Sequence, residues 1–413
     1  MKHFFSIISI LLCPIINAQK VNVNQWNDDI DFYQKTLEKK HIDLYHHISK
    51  QELDSKINRL KKNIPALSYF QIVSQLMEIT RSIGDGHTSI PTLGNNIHYY
   101  PIQLFIFGKD LRVIKASKQL KPLLGMKLKS IDGTSMAKII KGISPFVQFV
   151  ENDQSKLYFT TRYLRMAELL LALGFIERLD SAKFEFIGDD GNSEIHRLYA
   201  NVAYQNTADF NSIQLTIPNL SKPSKKKFEG LWYKSIDSLS AVYIRFRKYP
   251  SFQQMDEFGK EVFDYIEKNK TEHLIIDIRD NTGGNFFKGI RLIEYLVNAD
   301  SIDWKHGVYT VCNRSTYSAA MSNTVQFRQI LNSKIVGEPT GANPHGYQDG
   351  DDFILPNSGL KIKYSKRLYR FQEINTEGVQ PDIYITPKWK KYSKGIDEML
   401  EWIVNDISKK HYR

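Results

Sequence analysis

Three serines fall within eight residues in the stretch NRSTYSAAMSN: Ser315, Ser318 and Ser322. A serine hydroxyl becomes a nucleophile when a nearby base takes its proton and oriented amides support the charge that develops. Ser318 is the best placed, because it falls where a strand gives way to a helix and two alanines follow it. The same position suits a serine that simply caps the helix, and the local letters do not choose between the two. A base is on offer in RSIGDGHTSI, where His87 lies in a glycine-flanked loop after a helix; the plainer reading is a turn histidine bonded to local backbone. The third element is LIIDIRDNTGGN, an apolar run that ends in Gly283 and Gly284 just before another helix. Glycines there let the backbone turn sharply and leave amides exposed near the positive end of a helix, suited to a phosphate or an oxyanion. The pattern has neither the lysine of a P-loop nor GxGxxG spacing, and a tight turn alone would also explain it.

These residues need a scaffold, and the second half of the chain predicts one. AVYIRFRKY reads as a strand, MDEFGKEVFDYIEKN as an amphipathic helix, HLIIDIRD as a strand buried on both faces, and NFFKGIRLIEYLV as a helix. GVYTVCN, SAAMSNTVQFRQIL and KIVGEP continue as strand, helix and strand, so a layered α/β domain is expected from 231 to 413. Upstream, residues 19–95 read as a helical segment. Residues 96–217 are richer in strands, with a hairpin turn at Gly108-Lys109-Asp110, a turn at Asp132-Gly133, and one strongly apolar helix in TRYLRMAELLLALGFIERL. Lysine, serine and proline concentrate over 218–230, read as a linker.

The 413 residues carry a formal charge of +11, with 42% hydrophobic and 24% charged residues, the profile of a globular protein with a sizeable core. Apart from SKPSKKKFEG the basic residues are dispersed, and neither zinc-finger spacing nor a basic helix is present, so nucleic acid is not an expected partner. Residues 1–18, with Lys2 before an apolar run from Phe4 to Ile16, read as a cleaved export signal, too short for an anchor. Lipidation at Cys13 is the competing idea, disfavoured by the bulky Leu12. A periplasmic or secreted location is therefore expected, with no transmembrane anchor. Cys312 would remain without a disulfide partner, as a packed strand thiol. His46 and His47 have no further ligand at metal spacing. Neither a metal nor a cofactor is expected; oligomeric state is not legible.

GDGHTSI, LIIDIRDNTGG, STYSAAM, KIVGEPTGA and NTEGVQPDIYI occur here in the order found in carboxy-terminal processing (tail-specific) serine proteases. The chain resembles that family from Gly84 to Ile385. The resemblance implies a crotonase-like α/β core, a helical N-terminal segment and a degenerate PDZ-like domain that includes LLGMKLKSIDGTSMAKII. It implies Ser318 as nucleophile, with an oxyanion hole from the Ala319 amide and one amide of Gly283 or Gly284. One branch of the family uses a lysine base some two dozen residues after the serine; here GEPTGANPHGYQDG has none. The tricorn-like branch uses the early histidine, here His87, oriented by a late glutamate, here Glu377. In that branch a serine precedes the histidine, whereas this chain has Gly86. His345 is the alternative base. The implied function is an exported serine endopeptidase acting on peptide or unfolded protein. The alternative is a non-catalytic protein that binds an apolar ligand or peptide on the same fold.

Overall fold

A computed structural model describes residues 21–91, 97–216 and 227–411. Residues 1–18, expected to be an export signal, and most of the expected linker, 218–226, lie outside the described residues.

The chain opens with three helices, α1 (Val23–Lys40), α2 (Lys50–Asn63) and α3 (Tyr69–Arg81). Reciprocal capping boxes start α1, between Asn22 and Gln25, and α3, between Ser68 and Gln71. Their apolar stripes, including Ile30, Leu37, Leu53, Leu60, Ile72 and Leu76, are fully buried.

A first sheet follows. It contains β1 (Ile102–Phe107), β2 (Asp110–Ala116), β3 (Lys127–Ile131) and β4 (Thr134–Ser135). After α4 (Met136–Ile143), α5 (Asp153–Tyr163) and α6 (Ala167–Ala172), the sheet resumes with β5 (Ser181–Ile187), β6 (Ser193–Tyr199) and β7 (Asn211–Ser212). The main strand order is β1-β2-β3-β5-β6, all antiparallel. The expected hairpin joins β1 to β2, with Phe107 opposite Asp110 and Gly108 at φ 60°. The single helix read in TRYLRMAELLLALGFIERL is instead two, α5 and α6. Between them the Arg165 carbonyl accepts from the Tyr100 N–H, and the Ala167 N–H donates to the His98 carbonyl. The Arg165 guanidinium also reaches the carbonyls of Tyr100 and Tyr204. Pairing with a distant segment overrides helix propensity there.

The second sheet carries the alternation expected from the sequence: β8 (Leu231–Ile236), β9 (Ala241–Phe246), α7 (Phe252–Asn269), β10 (His273–Asp277), α8 (Phe286–Leu296), β11 (Val308–Cys312), α9 (Ala319–Leu331) and β12 (Lys334–Gly337). Two small hairpin-like pairs come next, formed by β13 (His345–Gln348) with β16 (Arg367–Arg370) and β14 (Asp351–Ile354) with β15 (Lys361–Tyr364). A last strand, β17 (Ile383–Tyr384), and the helices α10 (Trp389–Tyr392) and α11 (Glu398–His411) close the chain. Strand order is β17-β12-β11-β10-β9-β8, parallel except for β8 at one edge.

Both faces of this sheet are covered, which explains the unbroken apolar strands. Val242, Ile244, Leu274, Ile276, Val308 and Cys312 pack with the main core, which includes residues of α7, α8 and α9. Tyr243, Ile275, Tyr309, Val311 and Val336 pack on the opposite side with Met399, Leu400, Ile403 and Ile407 of α11. Burial pushes the Cys312 thiol well above its ordinary range.

An ion pair ties the two sheets together beside the Ser318 loop. The Arg314 Nε donates to Glu338 Oε2 at 3.0 Å, and both side chains are buried. Arg314 also donates to the Ile106 carbonyl at 3.1 Å, with its guanidinium 4.4 Å from the Phe105 ring. Removing one member of such a pair strands the other charge in a poor solvent. Arg314→Ala should lower unfolding stability by about 3–5 kcal/mol, whereas the apolar pair Arg314→Met with Glu338→Leu should cost far less. Urea unfolding of the three proteins checks this.

Candidate active site

Ser318 stands between β11 and α9 with φ 54° and ψ −128°. A non-glycine residue held there stores about 1–3 kcal/mol, and such strain is tolerated where the surroundings over-determine it. The side chain makes no capping bond to its helix. The hydroxyl instead meets His87, with Oγ 2.9 Å from Nε2. The plain cap reading therefore does not describe Ser318. Ser315 bonds Asn313 and Asp280 within the loop, and Ser322 lies one turn into α9 with its N–H on the Ser318 carbonyl.

The Gly283–Gly284 turn presses against the same serine. Gly283 has φ 110°, and a Cβ on it would fall 2.6 Å from Ser318 Cβ and 3.1 Å from Oγ. Only glycine permits this approach. The Gly283 amide donates to Asn281 Oδ1 at 3.0 Å, and the Asn281 carbonyl accepts from the Tyr317 N–H at 3.0 Å. Asn281 thus fastens the turn to the serine loop. Among the described residues, no protein acceptor meets the Gly284 amide. The Ala319 amide opens α9, where first-turn N–H groups have no partner inside the helix.

On its far side His87 meets a carboxylate, and it is not the one expected. Nδ1 lies 3.0 Å from Glu151 Oε1, an ion-pair distance without hydrogen-bond geometry. Glu151 is buried and well supplied with donors: Tyr317 Oη donates to Oε1 at 2.7 Å and the Asn343 N–H to Oε2 at 2.8 Å. The Tyr317 ring stacks on His87 at 5.3 Å. Burial first, then the adjacent Glu151, pushes the Tyr317 phenol far above its usual range.

Glu377, expected to orient His87, has an exposed side chain, and among the described residues only its carbonyl is engaged, with Gln380. This corrects the sequence expectation. The segment NTEGVQPD is nevertheless close by, because the Gly378 N–H donates to Asn343 Oδ1 at 2.8 Å, and Asn343 in turn bonds Glu151. Gly378 lies at φ 73° with the Thr340 carbonyl against it. The alternative base, His345, lies on β13 with Nε2 against the Gln372 carbonyl. His46 bonds the Asp43 carbonyl and packs on Tyr347.

Gly86 explains the substitution of acids. A Cβ at this position would lie 2.1 Å from Tyr317 Oη and 2.6 Å from Glu151 Cγ. The space that a side chain before His87 would fill is taken by Glu151 and its tyrosine. Glu151 comes from the residue before Asn152, which caps α5. An acid preceding a capping box carries no mark of this role in the sequence.

Among curated protein sequences, none matches the chain. The model of peptidase family S41 matches residues 242–303, a segment that includes the Gly283–Gly284 turn and ends before Ser318. Mature CPAF complexed with lactacystin shares the fold, at 12% identity and a TM-score of 0.67 over 94% of this chain and 99% of that one. Mature CPAF alone gives 13% identity and a TM-score of 0.66, covering 94% and 98%. The likeness to CPAF shows the fold, and the S41 segment in the parallel sheet supports a serine protease. More particularly, the matched segment is similar to peptidase family S41.

Gly86→Ala should displace Tyr317 or Glu151 and cut the reactivity of Ser318 toward a fluorophosphonate by about 100-fold, a typical effect of misplacing a reacting group by 1 Å. Labelling rates of the variant and the wild type test this.

Proposed function

We propose that the chain is an exported serine endopeptidase that hydrolyses peptide bonds through an acyl-enzyme on Ser318. The observation that carries this reading is the contact of Ser318 Oγ with His87 Nε2 at 2.9 Å, with Glu151 on the other ring nitrogen. In this order, hydroxyl, imidazole and carboxylate allow proton transfer from serine as it attacks.

His87 takes the Ser318 proton as Oγ bonds to the substrate carbonyl carbon. The imidazolium that results faces Glu151, whose charge stabilises it. Charge on the carbonyl oxygen is received by the amides of Ala319 and Gly284, at the positive end of α9. Gly283, whose own amide is used by Asn281, contributes the close approach instead. The proton then passes from His87 to the leaving amine, and a water activated by the same imidazole releases the acid. No cofactor or metal enters these steps.

The substrate is peptide or unfolded protein. The parallel sheet with its covering helices is proposed as the crotonase-like core, and the antiparallel sheet over 96–217 as a degenerate PDZ-like domain. Residues 1–18, with their apolar run, support export to the periplasm or beyond. No helix among the described residues is long and apolar enough to cross a membrane.

Active-site labelling with a fluorophosphonate, followed by a peptide-library digest, tests the proposal. Ser318→Ala and His87→Ala should each abolish labelling and turnover while the fold survives; turnover retained without Ser318 would refute it. Glu151→Gln should lower kcat by about 10⁴-fold, the scale seen when a triad carboxylate is neutralised. Glu377→Gln should leave kcat unchanged, and the reverse outcome would restore Glu377 as the orienting acid.

A further inference from the structure

Behind His87 lies a second imidazole–carboxylate pair that the proposed reaction does not use. His41, the residue that ends α1, places Nε2 2.9 Å from Asp85 Oδ2, with both side chains buried. The other ring nitrogen, Nδ1, accepts the Asp43 N–H at 3.0 Å. The neutral ring therefore carries its proton on Nε2 and donates it to Asp85.

The second oxygen of Asp85 is equally committed. Oδ1 accepts the His87 N–H at 2.9 Å, the Thr88 N–H at 2.6 Å and the Ser365 hydroxyl at 2.8 Å. Ser365 is fixed in turn, since its carbonyl accepts the Ile42 N–H at 3.1 Å and its N–H donates to Thr88 Oγ1 at 3.2 Å. One residue further on, Ser89 pairs with Lys363 through two backbone bonds. Burial acts to raise the Asp85 carboxyl, but the donors, led by His41, outweigh it and hold it below its usual range. A charged carboxylate thus gathers four donors from three stretches of chain, at 41, 87–88 and 365.

We propose that Asp85 is a positioning residue for His87: held by His41 and Ser365, it sets the 85–88 backbone so that Nε2 meets Ser318. This rests on the Ser318–His87 peptidase reading. Asp85 acts through the main chain, because its oxygens are spent on backbone N–H groups and on His41 and Ser365. A group so placed affects the rate of attack and not the affinity for substrate. Asp85→Asn keeps an oxygen for the backbone donors but turns an amide toward the Nε2–H of His41, setting donor against donor.

The test is the rate of fluorophosphonate labelling at Ser318 together with peptide kcat and KM. Asp85→Ala should lower the labelling rate and kcat by about 100-fold with KM within about twofold, and Asp85→Asn by less. Ser365→Ala, which removes one donor and spares the His41–Asp85 hydrogen bond, should cost a few-fold and serves where Asp85→Ala fails to fold. The reading that separates positioning from general support is made in His87→Ala supplied with free imidazole. There the added Asp85→Ala or Ser365→Ala should cost nothing further, because the residue being positioned is gone. A further loss of tenfold in that background, or a normal labelling rate in Asp85→Ala, overturns the positioning role alone. Failure of wild-type Ser318 to label overturns the peptidase reading and this proposal with it.

Discussion

A single contact organises this molecule: the hydroxyl of Ser318 against the imidazole of His87, side chains 231 positions apart in the chain. Hydrogen bonding requires both to be held within a few tenths of an ångström, and neither side chain can secure that by itself. Ser318 is held by the parallel sheet, at the step from β11 into α9, in a backbone conformation that costs energy. His87 is held by a loop that leaves α3 and is pinned to Ser365 and Lys363, just beyond β15 and within it. The site therefore exists only when the N-terminal helices and the sheet are folded against each other, and one continuous core from Trp26 to Val379 ensures that they are.

Buried charge does much of the holding. The Asp277 carboxylate at the end of β10 lies against the guanidinium groups of Arg245 and Arg279, and Arg279 also reaches Asp397 before α11. Burial alone would raise the Asp277 carboxyl, but the two arginines outweigh it and hold it far below its ordinary range. Asp280 extends this network, reaching Arg245 on one side and Ser315 on the other. The IRDNTGG motif is thus more than a glycine turn. Its Arg279 and Asp280 anchor the turn to the sheet through Asp277 and Arg245, its asparagine fastens it to the serine loop, and its glycines let it close on Ser318. Buried pairs of this type are poor sources of net stability but strong constraints on geometry, since misplacement leaves a charge without a partner.

The parallel core was legible because its strands are short, apolar and separated by amphipathic helices, a pattern that follows from burial on both faces. The break between α5 and α6 was not, because it depends on the backbone of Arg165 and Ala167 pairing with a segment some 65 to 70 residues earlier. Periodicity reports the face a helix buries and is blind to a distant strand that interrupts it. Among the site residues, Ser318, His87 and the two glycines stood out because strand ends, loop glycines and helix starts mark them locally. Glu151 carries no local mark, lying one residue before an ordinary capping box.

The place of Glu151 beside His87 depends on one missing side chain. With Gly86 before His87, a void opens beside Nδ1, and a residue inserted there must arrive from another part of the chain. Glu151 fills it, with Tyr317 and the Asn343 amide as donors. The late segment keeps its place through Gly378 and Asn343 while its glutamate turns to solvent. What the glycine and the acid share is volume. A Cβ at 86 and the carboxylate of Glu151 cannot occupy the site together, so the two positions form one unit: returning a side chain to position 86 requires giving up the acid at 151.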